Sequence, residues 1–233
     1  MMDRAAIRIV EPFIQAGYPD AAALLICECD GAEEEVADEM ARVLEVMRAN
    51  GATETRLSRD EAERLRFWAG RKAAFPAVGR VSPDYYCMDG TIPRKRLGEL
   101  LRRIAEMEGK HRLRCANVFH AGDGNLHPLI MYDANDPAEL ERAEAFGGEI
   151  LEASIEVGGT ITGEHGVGIE KIGQMCVQFT AEELETMHRV KRAFDEHGLL
   201  NPGKAVPTLQ RCAEFGRMHV RAGQEKFPEL PRF

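Results

Sequence analysis

No apolar run in this sequence approaches the roughly 20 residues that a bilayer-spanning helix requires, so no transmembrane segment is expected. Positive charge is in deficit: 30 Lys and Arg stand against 39 Asp and Glu, a formal net charge of -9. Polyanion binding needs a basic field, and no general nucleic-acid surface is expected. The local cluster Arg94-Lys95-Arg96 with Arg102-Arg103 reads as a solvated helix face. The six cysteines, at 27, 29, 87, 115, 176 and 212, include no Cys-x-x-Cys pair. With no secretory signal either, a reducing compartment and no disulfide are expected. There is no internal repeat and no low-complexity stretch. Nor does a dinucleotide fingerprint open any helix; the lone Gly166-Val167-Gly168 is too short to cradle phosphates.

What is present describes an ordinary globular chain: 233 residues, 44% hydrophobic and 30% charged, enough for one large domain or two small ones. Residues 1–20 carry Ile7, Ile9, Val10 and Phe13 before Gly17-Tyr18-Pro19 and read as a linker or helix. The apolar run 21–29, in which Cys27 and Cys29 alternate, predicts a buried strand. Val36, Met40, Val43, Leu44 and Met47 then recur at helical steps until Asn50-Gly51 ends the helix. A short strand over 53–57 and an N-cap at Ser58 precede a helix to about 74, in which Trp68 and Arg71 share a face. Residues 85–89 read as strand, and Pro93 opens a helix carrying Leu97, Leu100, Leu101 and Ile104. Strands over 112–120 and 127–132, a helix from Asp136-Pro137 to 157, and a short strand over 160–162 follow. The capping box Thr180-Ala181-Glu182-Glu183 opens the last helix. The order predicts an α+β fold of two small layers sharing one core with a C-terminal helical segment. It divides into 1–20, a domain over 21–207, and a tail over 208–233 packing on it.

The chemistry concentrates in two stretches. Between two hydrophobic runs lies His120-Ala121-Gly122-Asp123-Gly124-Asn125-Leu126-His127, whose Asp-Gly is a tight-hairpin signal. With Asp123 and Gly124 at the corners, His120 faces His127, and two imidazoles so opposed can grip one divalent cation. The second stretch, Gly163-Glu164-His165-Gly166-Val167-Gly168-Ile169-Glu170-Lys171, sets a carboxylate beside a histidine among glycines that let backbone approach closely. Two histidines and a carboxylate leave a coordination position open, as in catalytic zinc sites, and His165 remains as a candidate base. Each stretch taken alone also fits a plainer account: a polar hairpin with two unrelated histidines, and a glycine-rich loop with a capping glutamate.

Together with Leu200-Asn201-Pro202-Gly203-Lys204, these motifs occur in this order in the FAD-linked oxidases of D-2-hydroxy acids. Essentially the whole chain resembles the C-terminal half of that family. Asp84-Tyr85-Tyr86-Cys87-Met88-Asp89-Gly90-Thr91-Ile92-Pro93 and Arg211-Cys212-Ala213-Glu214-Phe215-Gly216-Arg217-Met218-His219-Val220 look most like its branch containing the D subunit of glycolate oxidase. The resemblance implies paired ferredoxin-like subdomains over 21–207. It implies oxidation of a small 2-hydroxy acid, glycolate or D-lactate, to the 2-oxo acid, with hydride passing to FAD held mainly on an N-terminal domain absent from this sequence. His120, His127 and Glu164 would be ligands of a divalent metal, zinc in expectation; His165 the base; Arg71 the partner of the substrate carboxylate; Asn201 a residue reaching the flavin. A flavin-binding domain or subunit and an iron–sulfur electron-acceptor subunit are the expected partners, with the chain alone inactive. The expected place is the cytoplasm, or the inner-membrane periphery through partner subunits. The alternative is a stand-alone metal- or carboxylate-binding module without redox activity; Asn201 and Gly203-Lys204 favour the first reading, since such a module has no use for a flavin-facing segment.

Overall fold

The computed structural model describes residues 1–207; the expected tail over 208–233, with Cys212, lies outside the described residues. In chain order the elements are β1 (Met2–Asp3), α1 (Arg4–Ile14), β2 (Ala23–Leu24), α2 (Glu33–Ala49), α3 (Glu61–Lys72) and α4 (Ala74–Val78). Then come β3 (Asp84–Cys87), β4 (Gly90–Thr91), α5 (Leu97–His111), β5 (Arg114–His120), β6 (Asn125–Tyr132), α6 (Pro137–Glu156), α7 (Ile172–Gln178) and α8 (Ala181–Phe194). The α+β class is as expected. The strands form a single antiparallel sheet in the order β2-β1-β5-β6-β3, with β4 also paired to β6.

Alternation along the central hairpin builds a core on each face of that sheet. Cys115, Phe119, Leu126 and Ile130 pack with α5 and α6 side chains such as Leu100, Ile104, Phe146 and Ile150. Ala116, Val118, Leu129 and Met131 pack on the other face with Ile7, Val10, Ala74 and Val78 of α1 and α4. Asp3 caps α1 by accepting from Ala6 N at 2.8 Å and takes a second bond from Asn117 Nδ2 at 2.7 Å, which ties the helix start to β5.

The structure departs from the sequence expectations at four places. The apolar run 21–29 gives only the two-residue β2, and Leu25 is 50% exposed while Cys27 is exposed. β2 sits at the sheet edge with β1 as its partner, and apolar composition signals burial without supplying a second neighbour. Residues 53–57 form no strand; Arg56 lies over the Phe67 ring and pairs with Glu63. The helix cap is Asp60, not Ser58, because the Asp60 carboxylate accepts from Glu63 N at 2.8 Å. Cys176 is disulfide-bonded, against the expectation of none, while Cys27, Cys29, Cys87 and Cys115 are free thiols.

Glu63 anchors the start of α3, the helix that carries Trp68 and Arg71. Its buried carboxylate accepts from Arg59 N at 2.8 Å and Arg59 Nε at 3.0 Å, and from Arg56. The Arg59 side chain and N–H, then Arg56, hold its pKa down to about 2 from 4.5. A depressed carboxylate stabilises the fold above its unfolded pKa, and that contribution is lost as pH falls through the folded value. Acid titration of Glu63→Gln beside the wild type, followed by circular dichroism, should show the wild type losing stability more steeply between about pH 4.5 and 2. Parallel curves would mean that Glu63 pairs equally well in the unfolded chain.

Candidate active site and metal centre

The site sits at the turn end of the β5–β6 hairpin. The register pairs His120 with Asn125 and Val118 with His127, closing a loop of Ala121 to Gly124 in place of the expected two-residue Asp-Gly turn. Gly124 has φ +75°, and a side chain there would collide with the Ile92 carbonyl. The longer loop shifts the pairing by two residues, which preserves the face on which each side chain points. His120 and His127 therefore still share a face, with ring centroids 5.4 Å apart and planes at 84°.

Two more segments close on His127. The pairs Cys87↔Leu129 and Gly90↔Leu126 lie in one continuous register along β6, so Asp89, between β3 and β4, comes opposite His127. The loop 162–165 is held to the same place by the bridge Thr91↔Thr160. Gly163 lies so close to Asn125 and Thr91 that any side chain there would clash, as the glycine pattern led one to expect. From this loop Glu164 reaches His127, Oε1 to Nε2 at 2.8 Å, and His165 stacks on the His127 ring at 5.0 Å with planes 17° apart. His165 Nε2 is 3.7 Å from Glu164 Oε1. Donor atoms of Asp89, His127, Glu164 and His165 all lie within 4.8 Å of one another. His120 stands beside this set but outside it.

The environment is graded from dry to wet. His127 is 2% exposed, whereas Glu164, His165 and His120 are exposed. Burial lowers the His127 pKa, the neighbouring His165 adds to this, and the Glu164 carboxylate only partly opposes it. A neutral imidazole is the form that ligates metal. Cys87 Sγ lies 4.0 Å from His127 Nδ1, and burial pushes its thiol up to about 12, which keeps it protonated at neutral pH. A buried neutral imidazole, a carboxylate and a second imidazole fit a divalent ion that favours nitrogen and oxygen donors.

Arg71 is half-buried on α3; burial lowers its pKa, and the Glu164 charge acts against that, so its guanidinium lies within electrostatic reach of the site. Asn201 is exposed at φ 45°, in a turn closed by Lys204 N to Asn201 O at 3.2 Å. Ala205 N donates to Gly168 O at 2.7 Å and so ties this turn to the glycine loop leaving His165. Lys204, His165, Cys87 and Lys171 line a cavity of about 260 Å³. A larger cleft of about 1390 Å³ runs along α6 beside Glu141, Glu144 and Glu152 and contains none of His120, His127, Glu164 or His165.

Sequence reading missed Asp89, Thr162 and Lys171 as parts of this site. Asp89 and Lys171 are 82 positions apart, and their contact depends on β3, β4 and β6 pairing in one register, which no local periodicity reveals.

The chain belongs to the family of FAD linked oxidases, C-terminal domain, whose model matches residues 1–205. Among curated proteins it is 62% identical over its full length to the glycolate oxidase subunit GlcD of Escherichia coli K12, spanning 47% of that protein. The Bacillus subtilis protein of the same name is 34% identical over 87% of this chain and 43% of its own length. A mitochondrial D-lactate dehydrogenase [cytochrome] of Arabidopsis thaliana is 28% identical over 89% of this chain and 37% of its own. The chain thus spans about half the length, or less, of these relatives. Among solved structures, substrate-bound p-cresol methylhydroxylase superposes with TM-score 0.55 at 14% identity, covering 90% of this chain and 46% of that one. The isoeugenol complex of 4-ethylphenol oxidase from Gulosibacter chungangensis gives TM-score 0.54 at 16% identity, covering 78% and 39%. These two likenesses concern the fold alone. No helix among the described residues is long and apolar enough to cross a membrane.

Proposed function

We propose that this chain is the substrate- and metal-binding half of a flavin-dependent oxidoreductase that converts a small 2-hydroxy acid, glycolate or D-lactate, to its 2-oxo acid. The observation that carries the reading is the convergence of His127, Glu164 and His165 within electrostatic reach of Arg71, in a chain of the FAD-linked oxidase family. FAD, which a domain or subunit outside this chain would mainly hold, would supply the hydride-accepting chemistry at C2. His127 and Glu164, with His120 as the neighbouring imidazole, would hold a divalent ion, zinc in the first instance, which would supply Lewis-acid chemistry that lowers the pKa of the substrate hydroxyl. His165, exposed beside Glu164, takes the hydroxyl proton at Nε2. Arg71 pairs with the carboxylate, for which a guanidinium fork is suited. Asn201, whose turn is tied to the glycine loop after His165 through Ala205, would be the residue of this chain that reaches the flavin. An iron–sulfur subunit is the partner proposed to take electrons onward, which would place the assembly in the cytoplasm or at the inner-membrane periphery.

The test is steady-state turnover of the chain assembled with a flavin-binding half, with glycolate and D-lactate as substrates and an artificial electron acceptor. No turnover of either acid would overturn the reading in favour of a binding module. In the same assay Arg71→Ala should raise KM by about 10-fold or more with a much smaller change in kcat, because carboxylate binding serves ground and transition states alike. A fall in kcat at unchanged KM would instead place Arg71 at the reacting carbon.

A further inference from the structure

Asp89 has no part in the chemistry proposed above, yet its side chain is fully buried against the loop that delivers Glu164 and His165. Its Oδ2 accepts from Thr162 Oγ1 at 2.7 Å, His165 N at 2.9 Å and Gly163 N at 3.1 Å. Glu164 N is shared between Oδ1 at 3.1 Å and Oδ2 at 3.2 Å, and Lys171 Nζ donates to Oδ2 at 3.1 Å. Lys171 Nζ also reaches the Asp89 carbonyl at 3.3 Å, which takes Gly163 N at 3.0 Å.

We propose that Asp89 is a positioning residue: its carboxylate, clamped by Lys171, folds the main chain of 162–165 around itself so that the side chains of Glu164 and His165 turn together onto His127. Three consecutive N–H groups converging on one anion form a nest, a shape that the backbone holds only while the anion is there. Without it, the N–H groups of Glu164 and His165 would lose their acceptor, and Gly163 N and Lys171 Nζ would keep only the Asp89 carbonyl. Asp89 also lies close enough to His127 to be considered a ligand. Oδ2 takes contacts from all five donors and Oδ1 only the shared Glu164 N, so of a carboxylate's about four lone-pair sites those on Oδ2 are taken up by the nest, and a metal bound at Oδ2 would have to break it. The role is therefore exercised through Glu164 and His165. Its consequence for metal rests on the proposed function; its consequence for the loop does not.

The experiment compares wild type, Asp89→Asn, Lys171→Met and the double variant by amide hydrogen exchange, zinc titration and thermal melting of the whole chain. Asp89→Asn should speed exchange at Gly163, Glu164 and His165 by about 10-fold or more with the β5–β6 amides unchanged, which separates a loosened loop from a misfolded chain. It should also weaken zinc by about 10- to 100-fold, the usual cost of losing a residue that orients ligands. The double variant removes both charges and should regain melting temperature over Asp89→Asn without regaining loop protection or zinc affinity. Exchange at the three amides within about 2-fold of wild type in Asp89→Asn would overturn the proposal. So would recovery of loop protection in the double variant, since Asp89 would then serve only to neutralise Lys171. If the wild type itself takes up no zinc, the metal assignment falls, and the exchange rates alone decide on Asp89.

Discussion

Replacing His165 with asparagine in the assembled enzyme is expected to lower kcat by about 10² to 10⁴, the usual contribution of a positioned base, while bound metal stays near the wild-type level. Asparagine keeps a polar group of similar size and removes the basic nitrogen. The geometry supports a base: the ring is about half exposed, stacked on buried His127, with Nε2 3.7 Å from Glu164 Oε1. The same closeness makes His165 a rival ligand, since its donor atom belongs to the set lying within 4.8 Å. Metal analysis beside kinetics separates the two roles. Rate lost with metal retained identifies a base; rate and metal lost together identify a ligand. A variant keeping more than about a tenth of the wild-type kcat would show that another group takes the proton.

The residues of this site were legible to different depths. Short motifs exposed His127, Glu164 and His165 because glycines beside polar side chains mark close backbone approach, and the structure shows that approach at Gly163 against Asn125. The face shared by His120 and His127 survived a wrong turn assignment only because the error was two residues; a shift of one would have sent the two imidazoles to opposite sides. The helices α2, α5, α6 and α8 followed from their periodicity and caps, among them the Thr180–Glu183 capping box. Edge strands did not follow, because a two-residue strand such as β2 has no pattern of its own and exists through its partner. Asp89 was hidden for a related reason. A buried carboxylate is explained by its donors, and here these come from 162–171, far along the chain.

Glu164→Gln is expected to lose metal affinity by at least about 100-fold, since disturbing a mere orienting neighbour already costs 10- to 100-fold, and to lose turnover with it. The substitution preserves shape and replaces an anionic donor with a neutral amide. It also removes the charge that the buried, neutral His127 faces across 2.8 Å. His127→Ala should behave alike, because that imidazole is the buried anchor of the donor set. The informative partner is His120→Ala. Its ring stands edge-on to His127 at 5.4 Å, yet its nitrogens lie outside the close set, so it can ligate only after a side-chain rotation. Metal analysis and zinc titration of the three variants would decide among the geometries. Loss in all three makes His120, His127 and Glu164 the ligands and leaves His165 free to act as base. Retention in His120→Ala alone moves the third coordinating position to His165, and the proton must then go elsewhere. Wild-type metal content in Glu164→Gln and His127→Ala would remove the metal from this site altogether.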